Sequence, residues 1–409
     1  MTAVVGNGLP EGQQTRAPQR QVGIGIFAQC AKKSAQIQQR ILAAQAEPEK
    51  QKRLRTFATM EAARMIGVSE SYLRQLTRER DDLPSGTSTG GNNRRAFTLG
   101  EVNTIRRALF EQSGDRRYAP GRDRARGDKM QILTVCNFKG GAAKTTHAVH
   151  LAQYLALVGM KVLVVDLDSQ ASLTSVFGFQ PDIDFSAEDT LYPFLRDDVG
   201  DLRELIRPTY WDNIDIIPAN LSLYNAEFEL PVKQYQTKDF KFWRLLANGL
   251  SQLDDLYDVV VLDCPPSLGY LSINALFAAT AMVIPVPPSM IDFSSTGAFF
   301  SMMHGTMAML AAQEQQEKNF DFVRILVSKF SSSDRYHNEL SAWMRSIFGS
   351  LTLESKMVMT TAIDAAGNSK ETIYEMRPTG MKSTYDRAVE HLDAVNREVE
   401  QCIREVWNS

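Results

Sequence analysis

The hydrophobic pattern divides the chain unevenly. From residue 131 onward it contains apolar runs that do not alternate: QILTVCN over 131–137, KVLVVD over 161–166 and YDVVVLD over 257–263. Such runs mark strands covered on both faces, because a half-exposed strand alternates apolar and polar positions. The first run is followed by Thr145, Ala148, Leu151, Ala152 and Leu155, which repeat at helical spacing. Strands alternating with helices predict an α/β domain over 131–409, with a mostly parallel sheet and helices on both faces.

Upstream, the patterns are shorter. Residues 1–25 are rich in Gly, Pro and Gln and predict a flexible tail. Over 26–55, Phe27, Ala31, Ile37, Ile41 and Leu42 form a narrow helical stripe, for which a dimer contact is expected. Between 56 and 110, Thr59 is placed to cap a helix carrying Ala62, Ala63, Met65 and Ile66, and Gly67 ends it. Ser69 is placed to cap the next, whose Tyr72, Leu73 and Leu76 share a face. Helix, glycine turn and helix predict a helix-turn-helix. The Gly/Asn-rich SGTSTGGNNRR then predicts a hairpin ending at Arg94 and Arg95, before a helix from Thr98. An all-α, winged helix-turn-helix domain is therefore expected ahead of the sheet, resembling the winged domains of MerR-like regulators; an ordinary αα-hairpin is the competing reading. Residues 111–130 are densely charged and predict a linker.

Composition narrows the class. The 409 residues are 44% hydrophobic and 23% charged, enough for two or three soluble domains. The most apolar stretch, Ala275 to Pro288, is short and broken by proline, so no membrane span is expected. Cys30, Cys136, Cys264 and Cys402 lie far apart without a C-x-x-C, and the first thirty residues lack an apolar leader core, so a cytoplasmic protein is expected. Charge is lopsided: residues 1–130 carry 23 Lys and Arg against 13 Asp and Glu, whereas 131–409 carry 22 against 35. A basic N-terminal third points to a polyanion. On the helix-turn-helix reading, Ser69, Ser71, Arg74, Gln75 and Arg78 reach DNA from the second helix. Arg94 and Arg95 then touch its backbone.

The chemistry sits at 135–147, VCNFKGGAAKTTH. Strand, glycine loop and helix is the context of a phosphate-binding loop, G-x-x-x-x-G-K-[ST]. Here the two glycine positions hold Phe138 and Ala143, and a second lysine, Lys139, precedes Lys144. Gly140, Gly141, Ala142 and Ala143 would cradle phosphates, with Lys144 on the β/γ groups, Thr145 on Mg²⁺ and Thr146 by the α-phosphate. The next two strands end in Asp166 with Asp168 close behind, and in Asp263. Open α/β sheets bind ligands at these carboxyl ends.

The series K-G-G-x-x-K-T-T, V-D-x-D-x-Q, V-x-x-D-x-P-P resembles the deviant-Walker ATPases of the ParA/MinD/Soj group over about 131–405. With the upstream helix-turn-helix it looks like the larger plasmid ParA proteins, especially the RepA partition proteins of RepABC-type plasmids. That resemblance implies ATP or ADP with Mg²⁺ as ligands, and Thr145, Asp166 and Asp263 around the metal. Asp168 would position the attacking water. Lys139 would reach across a homodimer to the partner's phosphates, much as an arginine finger does. It also implies a ParB-type centromere-binding partner, nucleoid association, and sequence-independent DNA contact late in the chain, for which Arg377 and Lys382 are the candidates. A pure nucleotide-liganded repressor is the alternative. The family usually carries Gly at the position of Ala143; if φ is positive there, a Cβ adds about 1–2 kcal/mol of strain.

Overall fold

The computed structural model describes residues 24–45, 52–88, 94–368, 371–376 and 382–408. The chain forms two units, residues 1–51 and 52–409. In the first, α1 (Gly25–Gln45) is one helix, with Phe27 and Ile37 of the predicted stripe exposed.

The second unit is built on a seven-stranded sheet. Its strands are β4 (Gln131–Val135), β5 (Val162–Asp166), β6 (Arg207–Pro208), β7 (Ile214–Ile217), β8 (Val259–Asp263), β9 (Ala281–Val286) and β10 (Phe322–Val327). They lie in the order β10-β9-β4-β8-β5-β7-β6, parallel except for the edge pair β6–β7. The non-alternating runs explain this placement: Val162 and Val164 pack on one face, Leu163 and Val165 on the other, so the strand needs cover on both sides. Helix α5 (Lys144–Val158) and the final helix Lys382–Asn408 lie on the first of these faces. Register then aligns the strand ends, Val135 beside Asp263 and Asp263 beside Asp166. Among the described residues no helix is long and apolar enough to cross a membrane.

Ahead of the sheet, α2 (Thr59–Ile66) and α3 (Glu70–Glu79) meet at Gly67, whose φ of 83° is the left-handed conformation glycine adopts most easily. Strands β1 (Phe57–Ala58), β2 (Thr87–Ser88) and β3 (Arg95–Phe97) form a small antiparallel sheet in the order β1-β3-β2, and α4 (Leu99–Ser113) follows. Ala62, Ala63, Ile66, Leu73, Val102 and Ile105 close a separate small core. Ser69 caps α3, accepting from Tyr72 N–H at 3.1 Å, and Thr98 and Glu101 form a capping box for α4. The expected Thr59 cap is corrected: Ala58 holds the cap position, and the Thr59 hydroxyl donates instead to the Arg95 carbonyl at 3.1 Å, joining helix to sheet.

The charged stretch 111–130 is packed, not a bare linker. Helix α4 runs on to Ser113, Tyr118 is buried, and buried Arg122 pairs with Asp254 at 2.9 Å. Charge density signals exposure only when no partner awaits, and here Asp254 and Asp258 supply one. Buried Arg106 of α4 donates to the carbonyls of Met65 at 2.5 Å and Leu157 at 2.8 Å, so it bridges the C-terminal ends of α2 and α5. Both ends carry partial negative charge. Burial pushes its guanidinium down to about 10.

Candidate functional site

The loop between β4 and α5 is clamped from two sides. Asn137 donates from its amide to the Pro285 carbonyl at 2.7 Å and accepts from Lys139 N–H at 3.0 Å. From the end of β10, Ser328 donates to the Ala142 carbonyl at 3.0 Å. Gly141 (φ 73°) and Ala143 (φ 70°) are both left-handed. A turn of this kind ahead of a helix gathers backbone N–H groups into an anion-binding concavity, and the N-terminus of α5 adds its dipole. Ala143 therefore holds the conformation that favours glycine, with its Cβ in place.

The two lysines are held differently. Lys144 is 7% exposed and donates to the Lys139 carbonyl at 3.2 Å. Burial lowers its pKa, and the charge of Asp263 works against that lowering. Lys139 turns away, and its ammonium forms an ion pair with Asp292, in the first turn of the helix Met290–Glu314. Lys329, also left-handed, places its ammonium close to Gly141.

Asp166 and Asp263 are both fully buried. Asp166 accepts from Thr174 N–H at 2.9 Å, Thr174 hydroxyl at 2.7 Å and Asp168 N–H at 3.1 Å. Burial nevertheless pushes its carboxyl up to about 6. Neither oxygen of Asp263 has a hydrogen-bond partner among the described residues. The Thr145 hydroxyl lies near enough to favour its ionised form, though outside hydrogen-bonding geometry; burial first, and Asp166 second, push its pKa well up. A buried carboxylate with two orphaned oxygens beside a threonine hydroxyl suits an oxygen-seeking cation. Among the described residues no three His, Cys, Asp or Glu are placed to hold a metal ion by themselves.

A cavity of about 750 Å³ opens over this edge of the sheet. The predicted residues Gly140 to Thr146 and Asp168 all line it; Lys139, Asp166 and Asp263 do not. Its remaining wall includes His150, Val176, Ile363 and Thr372, which sequence reasoning missed because they carry no local motif.

The residues expected to meet DNA lie elsewhere. Ser69, Ser71, Arg74, Gln75 and Arg78 are exposed on α3. Arg74 is paired with Glu70 at 2.6 Å and Gln75 donates to Glu79 at 2.9 Å. Arg94 and Arg95 are exposed at β3, and Arg95 donates to the Ser85 carbonyl at 2.8 Å. Arg377 lies outside the described residues, and Lys382 begins the final helix.

Comparison with known proteins agrees with this architecture. A family model described as an AAA domain matches residues 130–324. The "Putative replication protein A" of Rhizobium rhizogenes is 40% identical over 366 residues, covering 88% of this chain and 89% of that protein. Protein SopA of Escherichia coli K12 is 31% identical over 351 residues, covering 82% and 85%. A solved structure titled "Partition Protein" superposes with a TM-score of 0.65 at 20% identity, covering 94% of this chain and 99% of that one, and so shares the fold. Cobyrinic acid a,c-diamide synthase from Mycobacterium smegmatis, solved with an ATP analogue and magnesium, gives a TM-score of 0.50 at 26% identity, covering 66% and 96%. With a full-length relative at this identity, and a phosphate loop carrying two lysines at the head of a parallel sheet, the chain belongs to the ParA/Soj family of partition ATPases.

Proposed function

We propose that this protein is an Mg²⁺-dependent ATPase of plasmid partition that dimerises around ATP and uses two modes of DNA binding. The observation that carries the reading is the juxtaposition of buried Lys144 with orphaned Asp263 below a left-handed phosphate loop. The backbone of Gly140 to Ala143 and the Lys144 ammonium would hold the phosphates, and Thr145 and Asp263 would hold the metal, which would supply positive charge against that of the phosphates. Asp166, its oxygens already engaged, fixes the backbone of Asp168 and so the carboxylate that orients the attacking water. Lys139 has to leave Asp292 before it can serve a second subunit's phosphates, which makes dimerisation answer to nucleotide.

In the ATP state the dimer binds DNA without sequence preference and moves with the nucleoid under control of a ParB-type centromere-binding partner; Arg377 and Lys382 remain the candidates for that contact. Helices α2 and α3 with their small sheet supply operator binding and autorepression. The exposed row Ser69, Ser71, Arg74, Gln75 and Arg78 supports that reading, and Arg74 exchanges Glu70 for DNA.

Binding to a random-sequence duplex at two salt concentrations, with ATP, ADP or no nucleotide, tests the switch. Salt-sensitive binding with ATP alone, abolished by Lys139→Ala and by Lys144→Ala, is the expected outcome. Equal binding in every nucleotide state would leave a nucleotide-liganded repressor as the better account.

A further inference from the structure

Glu375 is a carboxylate buried to 8% exposure, apart from the phosphate loop. It accepts from the Lys52 ammonium at 3.1 Å, from Thr372 N–H at 2.5 Å and, through a short hydrogen bond, from the Tyr210 hydroxyl. Each donor leads somewhere. Thr372 lines the cavity, and its hydroxyl donates to Gln153 of α5 at 2.6 Å. Lys52 also donates, at 2.6 Å, to the carbonyl of Val176, another cavity-lining residue. Next along the chain, Arg55 donates to the Tyr374 carbonyl at 3.0 Å and grips both oxygens of Glu61 in the first turn of α2. Segment 52–57 thus lies against residues 371–376, of which Glu371 and Thr372 line the cavity, and runs straight into the helix pair. A buried carboxylate held by a half-buried ammonium tolerates little displacement, because moving the ammonium away leaves the Glu375 charge unpaired in a low-dielectric site.

We propose that the Lys52–Glu375–Tyr210 cluster is a relay coupling nucleotide occupancy of the cavity to the position of α2 and α3. This rests on the nucleotide reading above. A nucleotide that fills the cavity fixes Thr372 and Val176; these fix Glu375 and Lys52, and Arg55 passes the constraint through Glu61 to the start of α2. By linkage, DNA held on α3 tightens nucleotide binding by the same factor.

Amide hydrogen exchange over residues 59–79 of the full chain, with MgATP, MgADP or neither, tests the relay alongside titration with a fluorescent ATP analogue. In wild type, nucleotide is expected to slow exchange there by about fivefold or more. Glu375→Gln should bind the analogue yet lose most of that slowing. Arg55→Gln, which leaves the cavity lining intact, should do the same and decides the matter if Glu375→Gln does not fold. Nucleotide binding without slowed exchange in wild type, or undiminished slowing in both variants, overturns the relay. Failure of wild type to bind the analogue at all would instead remove the nucleotide reading on which it stands.

Discussion

Asp166 and Asp263 end adjacent parallel strands, face each other in register and are equally buried, yet their surroundings are opposite. Asp166 has three donors aimed at it, Asp168 N–H from the turn that follows its strand and Thr174 N–H and hydroxyl from the short helix Ser172–Val176. Asp263 has none, and its strand is followed by Cys264-Pro-Pro-Ser267, where the two prolines supply no N–H. An orphaned buried carboxyl is tolerated by keeping its proton, which burial favours at Asp263. Of two residues that look alike in sequence, one holds a loop and the other has no donor among the described residues.

The comparison breaks most readily by making both residues amides. Asp263→Asn should lower MgATP hydrolysis by about 100-fold or more, as for loss of a charge-stabilising group in a reaction centre. It should leave the nucleotide-free protein folded, because no hydrogen bond is lost. Asp166→Asn places an amide NH₂ against either the Asp168 N–H or the Thr174 donors and should cost about 1–3 kcal/mol of stability. Urea unfolding of the two nucleotide-free variants, beside their hydrolysis rates, checks the contrast; equal stability loss in both would erase it.

A pH series sharpens the distinction. Burial raises both carboxyls, Asp166 to about 6 and Asp263 well up, so the folded state holds protons that the unfolded chain releases near pH 4. Such groups contribute full stability below the unfolded value and lose it as pH rises through the folded one. Stability of the nucleotide-free wild type, taken relative to Asp263→Asn, should therefore fall as pH rises from about 4, by up to about 1.4 kcal/mol per unit, until Asp263 itself ionises in the folded state. A difference curve that stays flat across this range would refute the orphaned state of Asp263.

Ala143→Gly gives the smallest expected effect. Relief of the left-handed alanine is worth about 1–2 kcal/mol, offset by about 0.5–1 kcal/mol of added chain entropy. A net gain of up to about 1.5 kcal/mol should appear as a modest rise in melting temperature. It should appear without change at the Asp166 turn, where Ala171 carries its own positive φ of 53°. Destabilisation would mean that the Ala143 methyl contributes more through packing than its conformation costs.

The sequence by itself determined the strands and the order of their chemical groups. Non-alternating runs at 131–137, 161–166 and 257–263 demand a sheet covered on both faces, and strand ends deliver Lys144, Asp166, Asp168 and Asp263 to one edge. The cap at Ser69 was equally legible, since a cap is a contact within one turn. Tertiary structure alone decided the rest. Thr59 exchanged its cap for the Arg95 carbonyl, Arg122 found Asp254, Lys139 found Asp292, and Ile363, Gly367, Glu371 and Thr372 arrived to wall the cavity. Periodicity records which face of an element is apolar and local motifs record which groups share a loop. Which distant partner satisfies a buried charge depends on how the elements pack, and that is why Asp166 and Asp263 could be told apart only in the folded chain.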